Sequence, residues 1–530
     1  MKKRIISIAL VVAMLLGTFV GCGKEETVNT GDNTLVVGLP QVATVTDYED
    51  NYLTTYLEEA SGAKLEFQFF SSSGSEAKQQ LTLMCNAKEK LPDVIVGFND
   101  IGHYSANQFG EDGFFIDLTD LIDKYAVNYK EQLAKLPKDR QEYIKTKGTN
   151  TITGETYGMP RVMPEAIDYR QSLMYINKTW LDNVGLAVPT TIAELENVLK
   201  AFKTQDPNGN GKADEMPMLT DATTYIINAF TCYESGAFNV TDGKLWDPVT
   251  TNEFRQALIK GNELVANELW NELSFTVTTT EYKKLISPVD EPCKVGIFSG
   301  HHETNTNAET NVLDEFIALV DLADETGKGG YSVITEPSVA WGAFITKDCE
   351  NTELAMKFLD SFYADKAVTI QRHGMEGEEW EFAEGKNAYG TTSYAKCLTA
   401  LGETAGDSSW HRMILGICTD YNYFLTETTG EGRVAQASRL QTEQWNVMHD
   451  GKQREEVVGD LIYTEEEYDV REAKASIVNS YINENITLFL SGEKNPKSDA
   501  DWNKFLTDLE TYGRSELLKI AQAAYDRKTK

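Results

Sequence analysis

The stretch Thr153–Thr191, TGETYGMPRVMPEAIDYRQSLMYINKTWLDNVGLAVPTT, decides how the rest of the chain reads. It opens with a turn at Thr153-Gly154-Glu155. Tyr157-Gly158-Met159-Pro160 follows as a short extended piece, in which Pro160 fixes φ and blocks a helix. The alternating apolar run Leu173-Met174-Tyr175-Ile176 predicts a buried strand ending at Asn177-Lys178. A helix then runs to a break at Gly185. Val188-Pro189 leads to Thr190 and Thr191, either of which can cap the next helix. Locally, this is a strand leaving one compact unit and entering another. With its flanks considered, it predicts the first hinge crossing of a two-lobed binding protein, with a ligand cleft beside Tyr157 and Arg161.

Upstream, apolar strands alternate with helices. Thr34–Pro40 reads as a strand, Tyr48–Ala60 as a helix, Lys64–Phe70 as a strand, Glu76–Lys88 as a helix, and Leu91–Gly97 as a third strand. Such alternation builds an α/β layer of mostly parallel strands, which bind ligands at their carboxyl ends. Those ends fall near Gln41, Ser71–Ser73 and Asn99-Asp100. Asp112–Leu118 reads as a turn and short strand, and Thr119–Tyr125 as a helix.

The N-terminus carries Lys2, Lys3 and Arg4, then the apolar run Ile5–Val20. That run is short for a membrane span and of the right length for a signal peptide. Phe19-Val20-Gly21-Cys22 resembles the bacterial lipobox, with Phe19 where leucine is more usual. The resemblance implies cleavage of residues 1–21 and a diacylated (palmitate-type) Cys22. Residues 22–33 are polar and aperiodic, a flexible tether to the body.

Downstream, Thr191–Phe202 is an amphipathic helix that runs into Asp206-Pro-Asn-Gly-Asn-Gly-Lys-Ala-Asp-Glu215. Side-chain oxygens stand at loop positions 1, 3 and 5 (Asp206, Asn208, Asn210), and Gly211 permits the tight turn. Lys212 can offer its carbonyl, and Asp214 and Glu215 can complete the shell. A hard cation such as Ca²⁺ takes six to eight oxygens, which this layout can supply. Pro217 stands where an EF-hand has its bidentate glutamate, so the pattern is related but distinct. A structural Ca²⁺ is expected, against the plainer reading of a solvated Gly/Asn turn. His301-His302-Glu303 invites a metal reading, but adjacent histidines diverge and no HExxH spacing occurs, so a loop is expected there. The chain beyond Thr352 is chiefly helical, including Ala475–Leu490, Asp501–Leu509 and Ser515–Tyr525.

A chain of 530 residues predicts two or three domains. With 41% hydrophobic and 25% charged residues it reads as globular. The formal net charge of −33 argues against nucleic acid as a partner. Loss of residues 1–21, which carry three positive charges, deepens it to −36. Of the seven cysteines, six remain beyond Cys22, widely and irregularly spaced, so disulfides and buried free thiols are both open.

The order of lipobox, GETYGMP, LMYINKTWLDNVGLAVPTT, KVGIFSG, WGAFITKDCENTELAMKFLDSFY and a helical tail ending AAYDR resembles the family 1 extracellular solute-binding proteins, lipoproteins of ABC-type sugar importers. Gly374-Met-Glu-Gly-Glu-Glu-Trp380 is similar to the GxEGxxW segment of LipO-like members. Asp206–Glu215 is similar to the calcium loop of alginate-binding relatives. The resemblance implies a type II periplasmic-binding fold: two α/β lobes, a hinge of three crossings and an interlobe cleft. By analogy, lobe 1 takes 34–160 and 312–366, and lobe 2 takes 161–311 and 367–530. It implies capture of a carbohydrate, an oligosaccharide, by a monomer lipid-anchored on the outer face of the cell membrane. Partners would be permease subunits with a separate ATPase, since the chain has no P-loop. The expected ligand-binding residues are Asn99, Asp100, Tyr157, Arg161, Trp341, Glu376 and Trp380, aromatics and hydrogen-bonding groups suited to sugars. No catalysis is expected. A secreted glycan hydrolase, or the same fold binding a peptide or signalling ligand, are the alternatives.

Overall fold

A computed structural model describes residues 33–42, 45–98, 101–150, 153–162, 174–299, 312–319, 321–334, 339–381 and 463–528, with 396–397, 410, 415–418, 454–456, 458 and 461 besides. Ten strands make its two main sheets: β1 (Thr34–Pro40), β2 (Lys64–Phe70), β3 (Val94–Val96), β4 (Gly158–Val162), β5 (Met174–Asn177), β6 (Met216–Met218), β7 (Val295–Ser299), β8 (Phe316–Ala318), β9 (Val339–Ile345) and β10 (Gly416–Ile417). The first sheet runs β10-β4-β9-β3-β1-β2, and the second β8-β5-β7-β6. In the first, β9 alone is antiparallel to its neighbours. In the second, β5 is antiparallel to β7 and β8, while β6 and β7 are parallel.

Each sheet has its own core. Leu35, Val37, Leu65 and Val94 pack with Leu53, Leu57, Phe358 and Leu359 on one face of the first sheet. Ile95, Phe98, Leu81 and Phe344 pack on its other face. The second sheet buries Met174, Ile176 and Ile297 against Leu195, Leu199, Phe202, Ile482 and Phe489. Its opposite face holds Tyr175, Val295, Phe298 and Phe316. Each such side chain contributes roughly 1.5–3 kcal/mol by leaving water. The result is the two-lobed α/β arrangement of a type II periplasmic-binding fold.

The strand directions show where the lobes face each other. β4 ends at Val162, the carboxyl edge of the first sheet. β5 starts at Met174, opposite Ser299, the last residue of β7. The chain therefore passes from the carboxyl edge of one sheet to the carboxyl edge of the other. β8 ends at Ala318 opposite Tyr175, and β9 begins at Val339 opposite Val162, so the return joins the same two edges.

Three sequence expectations on lobe boundaries are corrected. β4 continues through Val162, two residues beyond the expected limit of 160. The chain has not returned to the first lobe at 312: Phe316–Ala318 pairs with β5, and the Phe316 ring packs edge-on to Phe298 at 4.8 Å. After 367, Ile370, Trp410, Leu415 and Ile417 still pack in the first core. The helices Glu465–Ser491, Asp499–Thr511 and Arg514–Lys528 belong to the second. The strand expected over Asp112–Leu118 is reduced to a single bridge, Phe115 to Thr346.

Local signals explain the element ends. Asn177 accepts from Trp180 N to cap Lys178–Val184, and Gly185, at φ 70°, ends that helix. Thr191 and Glu194 form a reciprocal capping box for Ile192–Thr204. The last helix is tied down by Arg514, whose Nε lies 2.7 Å from Asp247 Oδ2 and whose guanidinium stands 4.1 Å over the Phe238 ring. Cys85, Cys293 and Cys349 are free and buried, and Cys232 and Cys418 are buried as well. Burial pushes the Cys85 thiol up to about 11 and Cys349 to about 12, leaving both unreactive. No helix among the described residues is long and apolar enough to cross a membrane.

Candidate functional site

The facing carboxyl edges carry the chemistry. On the first lobe, the helix His103–Glu111 starts just after β3. His103 Nε2 donates to Val339 O at 3.0 Å, which fixes the helix start to the first residue of β9. The Trp341 ring lies 5.0 Å from the His103 ring. Trp341 is 3% exposed, yet its Nε1 has no hydrogen-bond partner. An indole N–H buried without an acceptor costs stability, so it stands out among buried polar groups. Arg161, one residue from the end of β4, sits opposite Ala340 and Gly416. Partial burial lowers the pKa of its guanidinium without neutralising it.

On the second lobe, hydroxyls gather where β6 and β7 end. Thr220 Oγ1 hydrogen-bonds Ser299 Oγ, and Ser299 N donates to Tyr282 Oη at 3.2 Å. Thr220 N donates to Ser274 Oγ at 2.9 Å, and Trp270 Nε1 donates to Thr220 O at 2.8 Å. This edge is hydroxyl-rich, with the exposed Asp221 directly after Thr220.

Of the residues expected in the cleft, Asn99 and Asp100 lie outside the described residues, as do Cys22 and His301-His302-Glu303. Arg161 stands one residue from the carboxyl edge, whereas Trp341 pairs with Pro160 in mid-strand and its ring lies over Gly158, where an added Cβ would stand 2.7 Å from it. The placement expected for Tyr157 is corrected. It precedes the first residue of β4 and therefore lies at the opposite edge, about 15 Å along the strand from Val162. Its ring fills the space beside Gly110, where an added Cβ would stand 2.4 Å from it. Its hydroxyl donates to Glu155, and burial, then that carboxylate, push its pKa up to about 12. Tyr157 is a packing residue.

Trp380 and Glu376 belong to a self-tied turn. Gly374, at φ 80° and ψ −146°, and Gly377, at φ 88°, take backbone angles that only glycine adopts easily. Trp380 Nε1 donates to Gly374 O at 3.0 Å, and Glu379 Oε2 accepts from Met375 N at 2.8 Å. The polar atom expected for a ligand on Trp380 is thus spent inside the turn, while Glu376 is exposed. Sequence reasoning missed His103 and Tyr104. Their signal was their place at the start of a helix right after a strand's carboxyl end.

The Asp206–Glu215 loop is ordered by its own oxygens. Asp206 accepts from Asn210 N at 3.1 Å and Gly211 N at 2.9 Å. Asn208 Oδ1 accepts from Asn210 N, and Asn210 Oδ1 accepts from Lys212 N. Asn210 Nδ2 donates to Asp214 Oδ1 at 2.9 Å, and Lys294 Nζ stands 3.2 Å from Asp214 Oδ2. The Asn210 contact, helped by Lys294, holds the Asp214 carboxyl below its usual range. Glu215 behaves oppositely: burial, with Asp206 and Asp214 nearby, raises its pKa, and its Oε1 is buried without a partner. Among the described residues, no three His, Cys, Asp or Glu side chains gather as a metal cluster. The loop's donors are instead mixed carboxylate, amide and carbonyl oxygens, and the unspent Glu215 oxygen fits a hard cation.

Residues 43–261 match the family of bacterial extracellular solute-binding proteins. The chain is 24% identical over 409 residues to Lipoprotein LipO of Bacillus subtilis, covering 73% of this chain and 75% of LipO. It is 24% identical over 512 residues to FusA, a fructooligosaccharide ABC transporter substrate-binding protein of Streptococcus pneumoniae serotype 4, covering 91% and 88%. The solved structure of FusA with kestose superposes with a TM-score of 0.72 at 21% identity, covering 94% of this chain and 99% of that one. An alginate-binding protein, AlgQ2, solved without calcium ion, superposes with a TM-score of 0.66 at 20% identity, covering 94% and 99%. The family match over residues 43–261, together with a two-lobed fold shared over nearly the whole described chain, makes this protein similar to the bacterial extracellular solute-binding proteins.

Proposed function

We propose that the chain captures an oligosaccharide between its two lobes and delivers it to an ABC importer, without chemically altering it. The carrying observation is the geometry of the two sheets: both crossings described join carboxyl edges, so the edges form the walls of one cleft. Trp341 and Arg161 stand on one wall and the Thr220–Ser299–Tyr282 hydroxyls on the other. Aromatic faces with a few oriented hydrogen-bonding groups suit a sugar. The relatives support this reading, since FusA is a fructooligosaccharide-binding protein. Hinge closure would bring the two walls onto the ligand.

In the same reading Cys22 carries a lipid anchor, residues 22–33 form the tether, and the body lies outside the cell as a monomer. Permease subunits and a separate ATPase supply transport. Asp206, Asn208, Asn210, Lys212 (through its carbonyl), Asp214 and Glu215 hold a structural Ca²⁺. That a FusA EF-hand mutant and a calcium-free AlgQ2 were both solved supports a cation-binding loop in such proteins.

The test is calorimetric titration with an oligosaccharide panel, combined with chromatography of the sugars after incubation. Saturable binding with intact sugars is the expected result. Cleavage of a glycosidic bond, or no binding across the panel, would overturn the proposal. Mass spectrometry of co-purified ligand would then name the sugar.

A further inference from the structure

A ring contact bridges the lobes. Tyr104, in the first turn of His103–Glu111, stacks on Tyr468 with the ring planes 9° apart. Tyr468 lies in the first turn of Glu465–Ser491. That helix is locked into the second core only from Val478 onward, through Val478, Ile482, Ile486 and Phe489. Its first turns stay tied to the second lobe's last helix through Glu467–Arg527 and Lys474–Glu516, while Tyr468 reaches Tyr104 of the first lobe. Beneath the pair sits His103, and against His103 sits Trp341, with its buried N–H unspent.

The pair is ringed by acids. Glu465 and Asp469 have no ion-pair partner among the described residues, whereas Glu467 is taken by Arg527 and Glu472 by Arg471. Glu111 ends the Tyr104 helix and accepts from Asn150 Nδ2 at 3.1 Å. Lys78 donates to Ser105 Oγ on the Tyr104 helix at 2.6 Å. Burial first, and then Asp469, Glu465, Glu111 and Glu472, raise the pKa of the Tyr104 phenol. The carboxylates therefore act on the stacked rings themselves.

We propose that Tyr104 and Tyr468 close the mouth of the interlobe cleft over a bound oligosaccharide, and that the unpaired carboxylates around them restrict that ligand to uncharged sugars. The proposal rests on the carbohydrate reading above. Tyrosine faces pack against the C–H faces of sugar rings whatever their charge. A uronate brings one negative charge per sugar. Beside Asp469, Glu465 and Glu111, roughly 8 Å away and each repelling through water, it would bind about tenfold more weakly. Salt would narrow that gap, because the groups are exposed and the Debye length at 0.15 M is about 8 Å. The stacked pair would open to admit ligand and re-form behind it, so its loss would speed release more than it slows capture.

The experiment uses the full mature chain and two probe sets of equal length: neutral fructo-, manno- and gluco-oligosaccharides, and oligogalacturonates and alginate fragments. Affinities are measured at low and high NaCl. Neutral sugars are expected to bind at least tenfold more tightly, with the gap shrinking in high salt. Glu465→Gln combined with Asp469→Asn should narrow the neutral-to-uronate ratio severalfold. Tyr468→Ala and Tyr104→Ala should accelerate release of the neutral sugar about tenfold, while Tyr468→Phe, which keeps the ring, should not. Melting of each variant without sugar separates a folding defect from a lost contact. Uronates binding as tightly as neutral sugars, or tyrosine variants with unchanged release, would overturn the proposal and leave the carbohydrate reading standing. If no sugar of either set binds, the carbohydrate reading itself fails.

Discussion

Replacing Glu215 by Gln should stabilise the protein when calcium is absent and destabilise it when calcium is present. Glu215 Oε1 is buried with no hydrogen-bond partner, and the carboxylates of Asp206 and Asp214 lie close enough to raise its pKa. An ionised group left unsatisfied costs about 1–3 kcal/mol, and partial exposure of this residue favours the lower end, about 1 kcal/mol. For a lobe of this size, 1 kcal/mol moves the melting temperature by roughly 2–4 °C. Glu215→Gln should therefore melt a few degrees higher in chelator. With calcium at a hundredfold excess over its dissociation constant, the wild type should gain about 2.7 kcal/mol. Loss of one carboxylate ligand, costing about tenfold in affinity, removes about 1.4 kcal/mol of that gain. The order of the two melting temperatures should then invert. The pH dependence has a definite sign. In the metal-free chain the raised pKa of Glu215 contributes stability that is full below its unfolded value, near pH 4, and is lost as pH rises through the folded value. Asp214, held low, contributes the opposite sign, stability that is lost as pH falls. Calcium binding itself must weaken on acidification, because its ligands must be ionised. Calorimetric melts in chelator and in calcium, at pH 5 and pH 7, read all of this. Equal calcium gains in both proteins, or a lower melt for Glu215→Gln in chelator, would refute the assignment.

Trp341→Phe removes an indole N–H that has no partner, so the sugar-free melt should stay level or rise while ligand affinity falls about tenfold in titration. Arg514→Ala strands Asp247, only 7% exposed, and should cost about 3–5 kcal/mol in thermal unfolding, with Arg514→Met milder because it keeps packing over Phe238. Gly374→Ala places a Cβ 1.9 Å from Glu379 Oε2 at φ 80° and should cost about 1–3 kcal/mol, read as a lower melt with altered Trp380 fluorescence.

The fold was legible because burial follows backbone period. Leu35 and Val37, or Leu195, Leu199 and Phe202, repeat at strand and helix spacing, and each run lies in a core. Short elements were less legible. Phe316–Ala318 has too few residues to show a period, so pairing with β5, which no local signal reports, decides its lobe. The cleft was legible only by side chain type, and type does not tell one end of a strand from the other. Tyr157 and Arg161 are four residues apart, yet one packs at the amino edge and the other stands at the carboxyl edge. Tyr104 and Tyr468 are separated by most of the chain, and only the assembled lobes bring them together.

What marks the site is therefore the expense left uncompensated rather than residue identity. A native state is stable by only about 5–15 kcal/mol, so each unsatisfied buried polar atom is a sizeable fraction of the total. Three other buried indoles, those of Trp270, Trp380 and Trp410, each donate their N–H, although Asn239 Oδ1 is also buried without a partner among the described residues. Trp341, equally buried, does not. Glu215 keeps a free oxygen inside a loop whose other oxygens are engaged, and Glu465 and Asp469 have no ion-pair partner among the described residues beside a ring stack that joins the lobes. A cation at the first of these places, and a hydroxyl-rich neutral ligand at the others, would each relieve the local cost. If binding leaves these groups as they are, with Trp341 Nε1 still unpartnered in a sugar complex, the unsatisfied atoms would be defects of packing and the cleft would have to be sought elsewhere.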